Sequence, residues 1–390
     1  MPTLRLHSGR DYSVRRGHPW IFSGAIAKIE GEVEDGDVVR VVSSDGEFLA
    51  LGHFGTGSIA VKVFSRGRER DAEESLSERI QEAVATRRVL GLLENPEISA
   101  FRLINGEGDG LPGLIVDCYR DCAVFQFHSV GMWKSRETLV SSLLGALPDR
   151  FVGIYHKSET TLRPLQVQNS FLFGAHSGKA QIQEWGAHYE VDIFEGQKTG
   201  FYLDQRENRR AVRECATGKA VLNCFSYTGG FSIAALLGGA RKAVSVDASR
   251  GAIDMACRHA EMNSVSERHE GIVADCLEYM NEIRDTFDLI ILDPPAFVKH
   301  KKALEGALRG YETINSLALS KVSPGGLVFT FSCSQLVGAD LFREVVQKAA
   351  LRAERNVQIL REMGPSLCHP ANLFHPEGRY LKGFILRVDR

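Results

Sequence analysis

The stretch Val221-Leu222-Asn223-Cys224-Phe225-Ser226-Tyr227-Thr228-Gly229-Gly230-Phe231-Ser232 decides the fold of this 390-residue chain. It reads as a short apolar strand, a glycine-bearing turn and the start of a helix. Glycine lets backbone N–H groups approach a ligand closely at a helix N-terminus. From about residue 186 onward, strand and helix patterns alternate, which predicts an α/β fold with a doubly wound, mainly parallel sheet and helices on both faces.

Five strands are predicted in this region, at residues 220–223, 243–246, 271–274, 289–292 and 327–331. Residues 249–263 predict an amphipathic helix with Ser249 as its N-cap, since apolar residues recur at helical spacing. A last apolar segment, 380–388, predicts an edge strand that closes the sheet.

The region before residue 186 divides into two parts. Residues 1–68 contain short alternating strands punctuated by glycine, typical of a small β-barrel-like module. Residues 76–185 mix helix and strand patterns and predict an α+β middle domain, which leaves 186–390 as the third domain.

Composition excludes several classes of protein. The net charge of −2 excludes a uniformly basic nucleic-acid binder, so any RNA contact must come from local patches. The eight cysteines form no C-x-x-C pair and are typical of reduced thiols in a cytoplasmic protein. No apolar run approaches the roughly 18 residues of a membrane span, and we expect no membrane association.

Acidic residues at two strand ends predict a nucleoside-containing cofactor. Asp247 follows Gly229 by 18 residues, where a carboxylate would accept hydrogen bonds from both ribose hydroxyls. A Rossmann dinucleotide site is the alternative, but G-x-G-x-x-G is absent; a glycine pair that only packs a helix is another. Asp275 and Cys276 would flank an adenine, or Asp275 would be an ordinary helix N-cap.

Two further segments follow predicted central strands: Asp293-Pro294-Pro295 and Ser332-Cys333-Ser334. The carboxyl ends of strands are where open α/β sheets bind ligands. Proline removes backbone donors and stiffens a turn, so this turn would present Asp293 and its carbonyls to a flat heteroaromatic ring. The alternatives are a purely structural turn and a small buried cysteine.

These segments, together with Lys198-Thr199-Gly200-Phe201-Tyr202-Leu203-Asp204-Gln205-Arg206, closely resemble the bacterial large-subunit rRNA methyltransferase I family. The resemblance covers almost the whole chain, since residues 17–22 are similar to the start of the family's PUA module and 102–113 to its middle domain. Members are class I S-adenosylmethionine-dependent enzymes that methylate C5 of a cytidine in 23S rRNA. The resemblance therefore implies S-adenosyl-L-methionine as cofactor, 23S rRNA as partner and a PUA-like RNA-binding domain at 1–68.

The resemblance also carries a cofactor site. Residues 198–206 are expected to lie over the methionine end of the cofactor. The glycine-bearing turn and the neighbouring strand ends are expected to surround the rest of the cofactor. The predicted cofactor-binding residues are Lys198, Phe201, Gln205, Arg206, Asn223, Phe225, Ser226, Tyr227, Gly229, Asp247, Ala248, Asp275, Cys276 and Asp293.

Cys333 and Asp293 are the predicted catalytic residues. C5 of cytosine is a weak nucleophile, whereas addition of a thiolate to C6 makes C5 an enamine-like carbon that attacks a methyl donor. Asp293 would hydrogen-bond the N3 and N4 edge of the base. A free cysteine, with a pKa of about 8.5, is only a few per cent thiolate at neutral pH, so the site must activate it. No base for removal of the C5 proton is identified.

Substrate contacts are predicted beside this site, at Pro294, Pro295, Phe297, Lys299 and Arg309. Phe297 and Tyr227 would stack on the base or pack in the core, and Lys299 and Arg309 belong to a basic run suited to phosphates. His369 and His375 lack partners at metal-ligand spacing, so no metal is expected. Phe- and Val-rich edge segments would permit a homodimer. The alternative functions are methylation of an exocyclic amine, adenine N6 or guanine N2, and a non-catalytic RNA-binding assembly factor.

Overall fold

The computed structural model describes residues 1–297 and 303–389. The chain forms two compact units. The first comprises residues 1–184, 190–203 and 367–378, and the second 185–189, 204–366 and 379–390.

The first unit begins with a six-stranded sheet. Its elements are β1 (Thr3–Leu6), α1 (Tyr12–Arg15), β2 (Trp20–Phe22), β3 (Ile26–Glu30), β4 (Val38–Val42), β5 (Phe48–Phe54) and β6 (Ile59–Arg66), with strand order β2-β6-β5-β4-β1-β3. Alternate side chains such as Val39, Val41, Val61 and Val63 point into one buried cluster, as expected for strands with one face covered. The predicted β-rich N-terminal module is confirmed.

A second sheet of the first unit carries helices. Its elements are α2 (Ala72–Val89), β7 (Ala100–Asn105), β8 (Leu114–Tyr119), β9 (Cys122–Phe127), α3 (Val130–Lys134), α4 (Arg136–Ala146), β10 (Gly153–His156) and β11 (Ser170–Gly174). A further strand, β12 (Lys179–Glu184), is not part of this sheet. The strand order is β11-β10-β9-β8-β7. Asp71 caps α2 by accepting hydrogen bonds from the N–H groups of Glu73 and Glu74.

The rest of the chain alternates strand and helix. Its elements are β13 (Ala187–Asp192), α5 (Arg206–Cys215), β14 (Ala220–Cys224), α6 (Gly230–Leu237), β15 (Lys242–Asp247), α7 (Arg250–Met262), β16 (His269–Val273), α8 (Cys276–Glu282), β17 (Phe287–Leu292), α9 (Leu304–Lys321), β18 (Val322–Ser332), α10 (Ala339–Arg352), β19 (Val357–Met363) and β20 (Lys382–Val388). Ser249 caps α7 as predicted, accepting a hydrogen bond from Ala252 N–H.

Seven of these strands form one sheet, in the order β16-β15-β14-β17-β18-β20-β19. The five strands from β16 to β18 pair in parallel, and β20 is antiparallel to both β18 and β19. The predicted doubly wound α/β sheet is confirmed. The carboxyl ends of β14, β15, β17 and β18 consequently meet at one edge, where ligands of such sheets bind.

The prediction that the last strand lies at the edge is wrong. β20 lies between β18 and β19, and six of its seven residues are buried. β19 is the edge strand, and its pattern is mostly exposed. Its sequence, Val-Gln-Ile-Leu-Arg-Glu-Met, lacks strict apolar alternation, which is why the sequence pattern did not reveal it.

Within the described ranges, no helix has both the length and the apolar character needed to cross a membrane. All eight cysteines lie in the described ranges, and each is outside any disulfide.

Gly383 tests the internal position of β20. A Cβ atom there would lie 2.4 Å from Phe331 Cδ1 and 2.7 Å from the backbone oxygen of Thr330. We expect Gly383→Ala to lower the free energy of unfolding of the second unit by about 1–3 kcal/mol through overpacking, measured by urea denaturation. Gly251→Ala is the matched control, because nothing lies within 4 Å and alanine favours the helix. Equal stability of the two variants would contradict the assigned sheet order.

Candidate functional site

The turn between β14 and α6 has an unusual backbone. Phe225, Tyr227 and Gly229 adopt positive φ values of 58°, 47° and 77°. For a residue other than glycine, this conformation costs about 1–2 kcal/mol. Strain of this kind persists only where surrounding bonds enforce it, and it concentrates at ligand sites.

Groups from the two neighbouring strand ends hold this turn. Asp247 Oδ2 accepts a hydrogen bond from Tyr227 N–H at 2.9 Å, and Phe225 N–H lies 3.1 Å from the sulfur of Cys276. The Cys276 side chain is only 2% exposed. The buried thiol therefore stabilises the turn through Phe225 N–H. Any contact of Cys276 with a ligand would be through its backbone.

Three predicted cofactor residues lie at or just after the ends of β15 and β16. Asp247 is half-buried and also accepts from Ser249 N–H at 2.9 Å, whereas Ala248 is exposed. Asp275 is the N-cap of α8, because its Oδ1 accepts from Leu277 and Glu278 N–H. The helix-cap interpretation of Asp275 is thus realised in the structure, and its carboxylate remains exposed.

A buried polar chain lies under the same turn. Asn223 Nδ2 donates to Ser232 Oγ at 3.0 Å, Ser232 and Ser245 hydroxyls are 2.6 Å apart, and Ser245 Oγ is 2.8 Å from His269 Nε2. Asn223 Oδ1 and the Ser226 hydroxyl are buried without a hydrogen-bond partner in the described structure. Buried polar atoms without partners are costly, so their presence at this turn favours a ligand-binding role.

Residues 198–206 are shared between the two units. In the first unit, Thr199 donates to Asp117 Oδ2 at 2.6 Å, and Phe201 N–H donates to the Tyr119 hydroxyl at 3.1 Å. Phe201 is buried, and Lys198 is exposed with its Nζ 5.0 Å from the centre of the Tyr202 ring. This half of the segment is therefore anchored on β8.

The other half lies in the second unit. Gln205 Oε1 accepts from Asn208 at 2.6 Å, and the fully buried Arg206 pairs with Glu207 at 2.9 Å. Asp204 accepts a hydrogen bond from the Tyr380 hydroxyl at 2.7 Å. These side chains already have protein partners, so their cofactor contacts remain predictions.

Cys333 and the Asp293-Pro294-Pro295 turn lie together at the carboxyl ends of β18 and β17. The Cys333 thiol is 3.9 Å from the carbonyl oxygen of Pro294, which precedes it by 39 residues. Cys333 and Asp293 are half-buried, Pro294 is buried and Pro295 is exposed. The Cys333 thiol therefore faces the backbone of the Asp293-Pro294-Pro295 turn.

Sequence reasoning missed the buried hydroxyl of Tyr311 on α9. It lies 3.0 Å from Ser332 Oγ and 2.9 Å from Ser334 Oγ, so it fixes the residues on both sides of Cys333. Burial is the main cause that raises the pKa of Tyr311 above its usual value. Both serines are buried.

Lys382, the first residue of β20, was also missed. Its Nζ donates to the carbonyl oxygens of Ser334 at 2.5 Å and Tyr380 at 2.9 Å. Burial lowers the pKa of Lys382 to about 8, opposed by attraction to Cys333. The available signal was a single lysine that interrupts the apolar run of this last strand.

The predicted substrate residues are not equally supported. The Phe297 ring packs against Tyr311, with ring centres 4.6 Å apart, as part of the core of the second unit. The contacts of Phe297 therefore favour a role in core packing. Arg309 is exposed on α9. Lys299 lies outside the described residues, with most of its basic run.

Among residues 1–297 and 303–389, no group of three or more His, Cys, Asp or Glu side chains could hold a metal ion.

Comparisons with known proteins agree with this architecture. Residues 4–66 match a PUA-like domain, and residues 156–362 match an S-adenosylmethionine-dependent methyltransferase model. The chain is 40% identical over 395 residues to the ribosomal RNA large subunit methyltransferase I of Erwinia tasmaniensis, covering 99% of both proteins. A putative SAM-dependent methyltransferase from Streptococcus mutans is similar in structure, with a TM-score of 0.85, 26% identity and coverage of 99% of this chain and 100% of that one. A putative methyltransferase complexed with SAH has a TM-score of 0.86, 25% identity and the same coverage.

The fold and these matches define an S-adenosylmethionine-dependent methyltransferase of class I architecture with an N-terminal PUA-like domain. Within that class, the chain belongs to the ribosomal RNA large subunit methyltransferase I family. The residues present fit the cofactor, because the strained turn bears the unpartnered Asn223 Oδ1 and Ser226 hydroxyl beside the acidic ends of β15 and β16.

Asp247 offers a direct test of the cofactor site. We expect Asp247→Asn to weaken S-adenosylmethionine binding about tenfold or more, because hydrogen bonds to a charged group contribute about 1.5–3 kcal/mol. Isothermal titration calorimetry measures the affinity. Asp254→Asn, an exposed change on α7, is the control. An unchanged affinity in Asp247→Asn would show that this carboxylate does not contact the cofactor.

Proposed function

We propose that the protein methylates C5 of a cytidine in 23S rRNA, using Cys333 as a covalent nucleophile. The observation that carries the proposal is the position of the Cys333 thiol, 3.9 Å from Pro294 O in the Asp293-Pro294-Pro295 turn. Exocyclic amines carry a lone pair and need no nucleophilic thiol. A half-buried cysteine at this strand end therefore favours carbon methylation.

The reaction divides into an addition and an elimination. The Cys333 thiolate adds to C6, which makes C5 nucleophilic, and bound S-adenosylmethionine supplies the methyl group that C5 takes. A base then removes the C5 proton, the C5–C6 double bond re-forms and the C6–S bond breaks, returning the thiolate.

The neighbouring residues orient the base in this scheme. Asp293 would bind the N3 and N4 edge of cytosine, so that addition at C6 builds less charge on the ring. Pro294 and Pro295 have no backbone N–H, which leaves carbonyl oxygens as the polar backbone groups of the turn. The thiol faces one of these oxygens, Pro294 O.

The RNA substrate is inferred from the relatives and the N-terminal domain. Family members are named ribosomal RNA large subunit methyltransferases, and residues 4–66 match a PUA-like domain. A base paired inside a duplex is inaccessible to this site, so the target would be unstacked or already single-stranded. An rRNA substrate would place the reaction in the cytoplasm.

Product analysis tests the proposal. Radiolabelled S-adenosylmethionine and undermodified rRNA should yield labelled 5-methylcytidine after digestion to nucleosides. Cys333→Ala should lower the rate at least about 10³-fold, since loss of a covalent nucleophile removes the mechanism itself. Cys215→Ala, a half-buried thiol on α5, is the control and should stay active. Label in a methylated purine would overturn the proposed chemistry, and no labelled RNA at all would support a non-catalytic role.

Covalent trapping provides a second test. In RNA that contains 5-fluorocytidine, the fluorine at C5 cannot leave as a proton, so elimination stops after methyl transfer. We expect a protein–RNA adduct that survives a denaturing gel, with Cys333 as the modified residue in mass spectrometry. Adduct formation by Cys333→Ala would refute the assignment of the nucleophile.

A further inference from the structure

Lys382 is a buried cation at the first position of β20. The residue is only 8% exposed, and no carboxylate among the described residues forms an ion pair with its ammonium group. Burial of an ammonium without a counter-charge is costly. A lysine at this position therefore calls for a reason other than packing.

The register of β20 places this cation beside Cys333. Lys382 is the sheet partner of Ser332, the residue before Cys333, and its Nζ donates to the carbonyl oxygen of Ser334, the residue after it. The second acceptor is Tyr380 O at 2.9 Å. An ammonium has three hydrogens, so two of them fix its position and one remains.

The electrostatic partner of Lys382 is Cys333. Burial lowers the pKa of Lys382 to about 8, and attraction to the Cys333 thiolate opposes this effect. The lysine is consequently an ammonium at neutral pH. By reciprocity, an interaction that favours the ammonium also favours the thiolate.

We propose that Lys382 is a positioning residue that stabilises the thiolate form of Cys333 and so activates the nucleophile. The inference rests on the proposed function of Cys333. The thiol proton passes to solvent, and the resulting anion is held by the fixed ammonium. When sulfur adds to C6 its negative charge moves to the ring, and when the C6–S bond breaks the charge returns, so the same cation also favours release.

Other titratable groups lie on elements next to β18 and β20. They are Tyr311 on α9, Asp293 after β17, Asp204 through its bond to Tyr380, and Arg343 on α10, which pairs with Glu362. Tyr311 is neutral over the relevant range, because burial raises its pKa. Substitution of Lys382 therefore tests how its positive charge affects ionisation of the Cys333 thiol.

Alkylation of Cys333 without RNA tests the inference. The rate of reaction with iodoacetamide is followed from pH 6 to 10 by mass spectrometry of the Cys333 peptide. We expect Lys382→Gln to raise the midpoint of this profile by about one pH unit or more, as loss of a nearby opposite charge does, while Lys382→Arg keeps it close to wild type. The control is Lys321→Gln, since Lys321 also donates to a carbonyl, Ile283 O, but precedes the opposite end of β18.

The outcomes separate this inference from the proposed function. Equal midpoints in wild type and Lys382→Gln would overturn the role of Lys382, whatever the rRNA assay shows. Cys333→Ala could abolish methylation while Lys382→Gln leaves the midpoint unshifted. That result would support Cys333 as the nucleophile and refute only the role of Lys382 in its activation. Binding of S-adenosylmethionine shows whether Lys382→Gln is folded. If it is not, the alkylation profile of the wild-type protein tests the proposal instead. A wild-type Cys333 midpoint at or above about pH 8.5, the pKa of an ordinary cysteine, refutes the proposal. The half-buried Cys257 provides the internal reference.

Discussion

Antiparallel pairing of β20 with β18 is the interaction on which the candidate site depends. Seven residue pairs, from Gly326 with Val388 to Ser332 with Lys382, align the two strands. A slip of one residue would turn every side chain of β20 to the other face. It would move Lys382 away from Cys333 and place a side chain where only Gly383 fits against Phe331. The register that packs the core therefore also fixes Lys382 beside Ser332 and Ser334.

The second constraint is the backbone of the β14–α6 turn. Two non-glycine residues there are left-handed, at a combined cost of about 2–4 kcal/mol. Asp247 and Cys276, from separate strand ends, hold the N–H groups of Tyr227 and Phe225 and offset part of this cost. The turn is thus held by groups that three parallel strands bring together. Its shape is a product of the whole sheet, although its residues are contiguous in sequence.

This dependence explains how much the sequence could predict. The parallel strands, the Ser249 cap and the convergence of Asp293 and Cys333 follow from local apolar runs and from the rule that strand ends meet. The position of β20, and with it Lys382, could not be read locally, because β20 comes last in the chain and yet inserts between β18 and β19. Tyr311 was missed for a similar reason: its spacing on α9 is that of any core residue, and only tertiary contact aims its hydroxyl at Ser332 and Ser334.

Stability alone does not account for the polar core around Cys333. An apolar residue in place of a buried unpaired charge commonly leaves a protein equally or more stable. Yet Lys382 is buried, and its two carbonyl acceptors compensate only part of its lost hydration. At a buried position a lower effective dielectric strengthens attraction between opposite charges. The proposed attraction between the Lys382 ammonium and the Cys333 thiolate would compensate a further part of this cost.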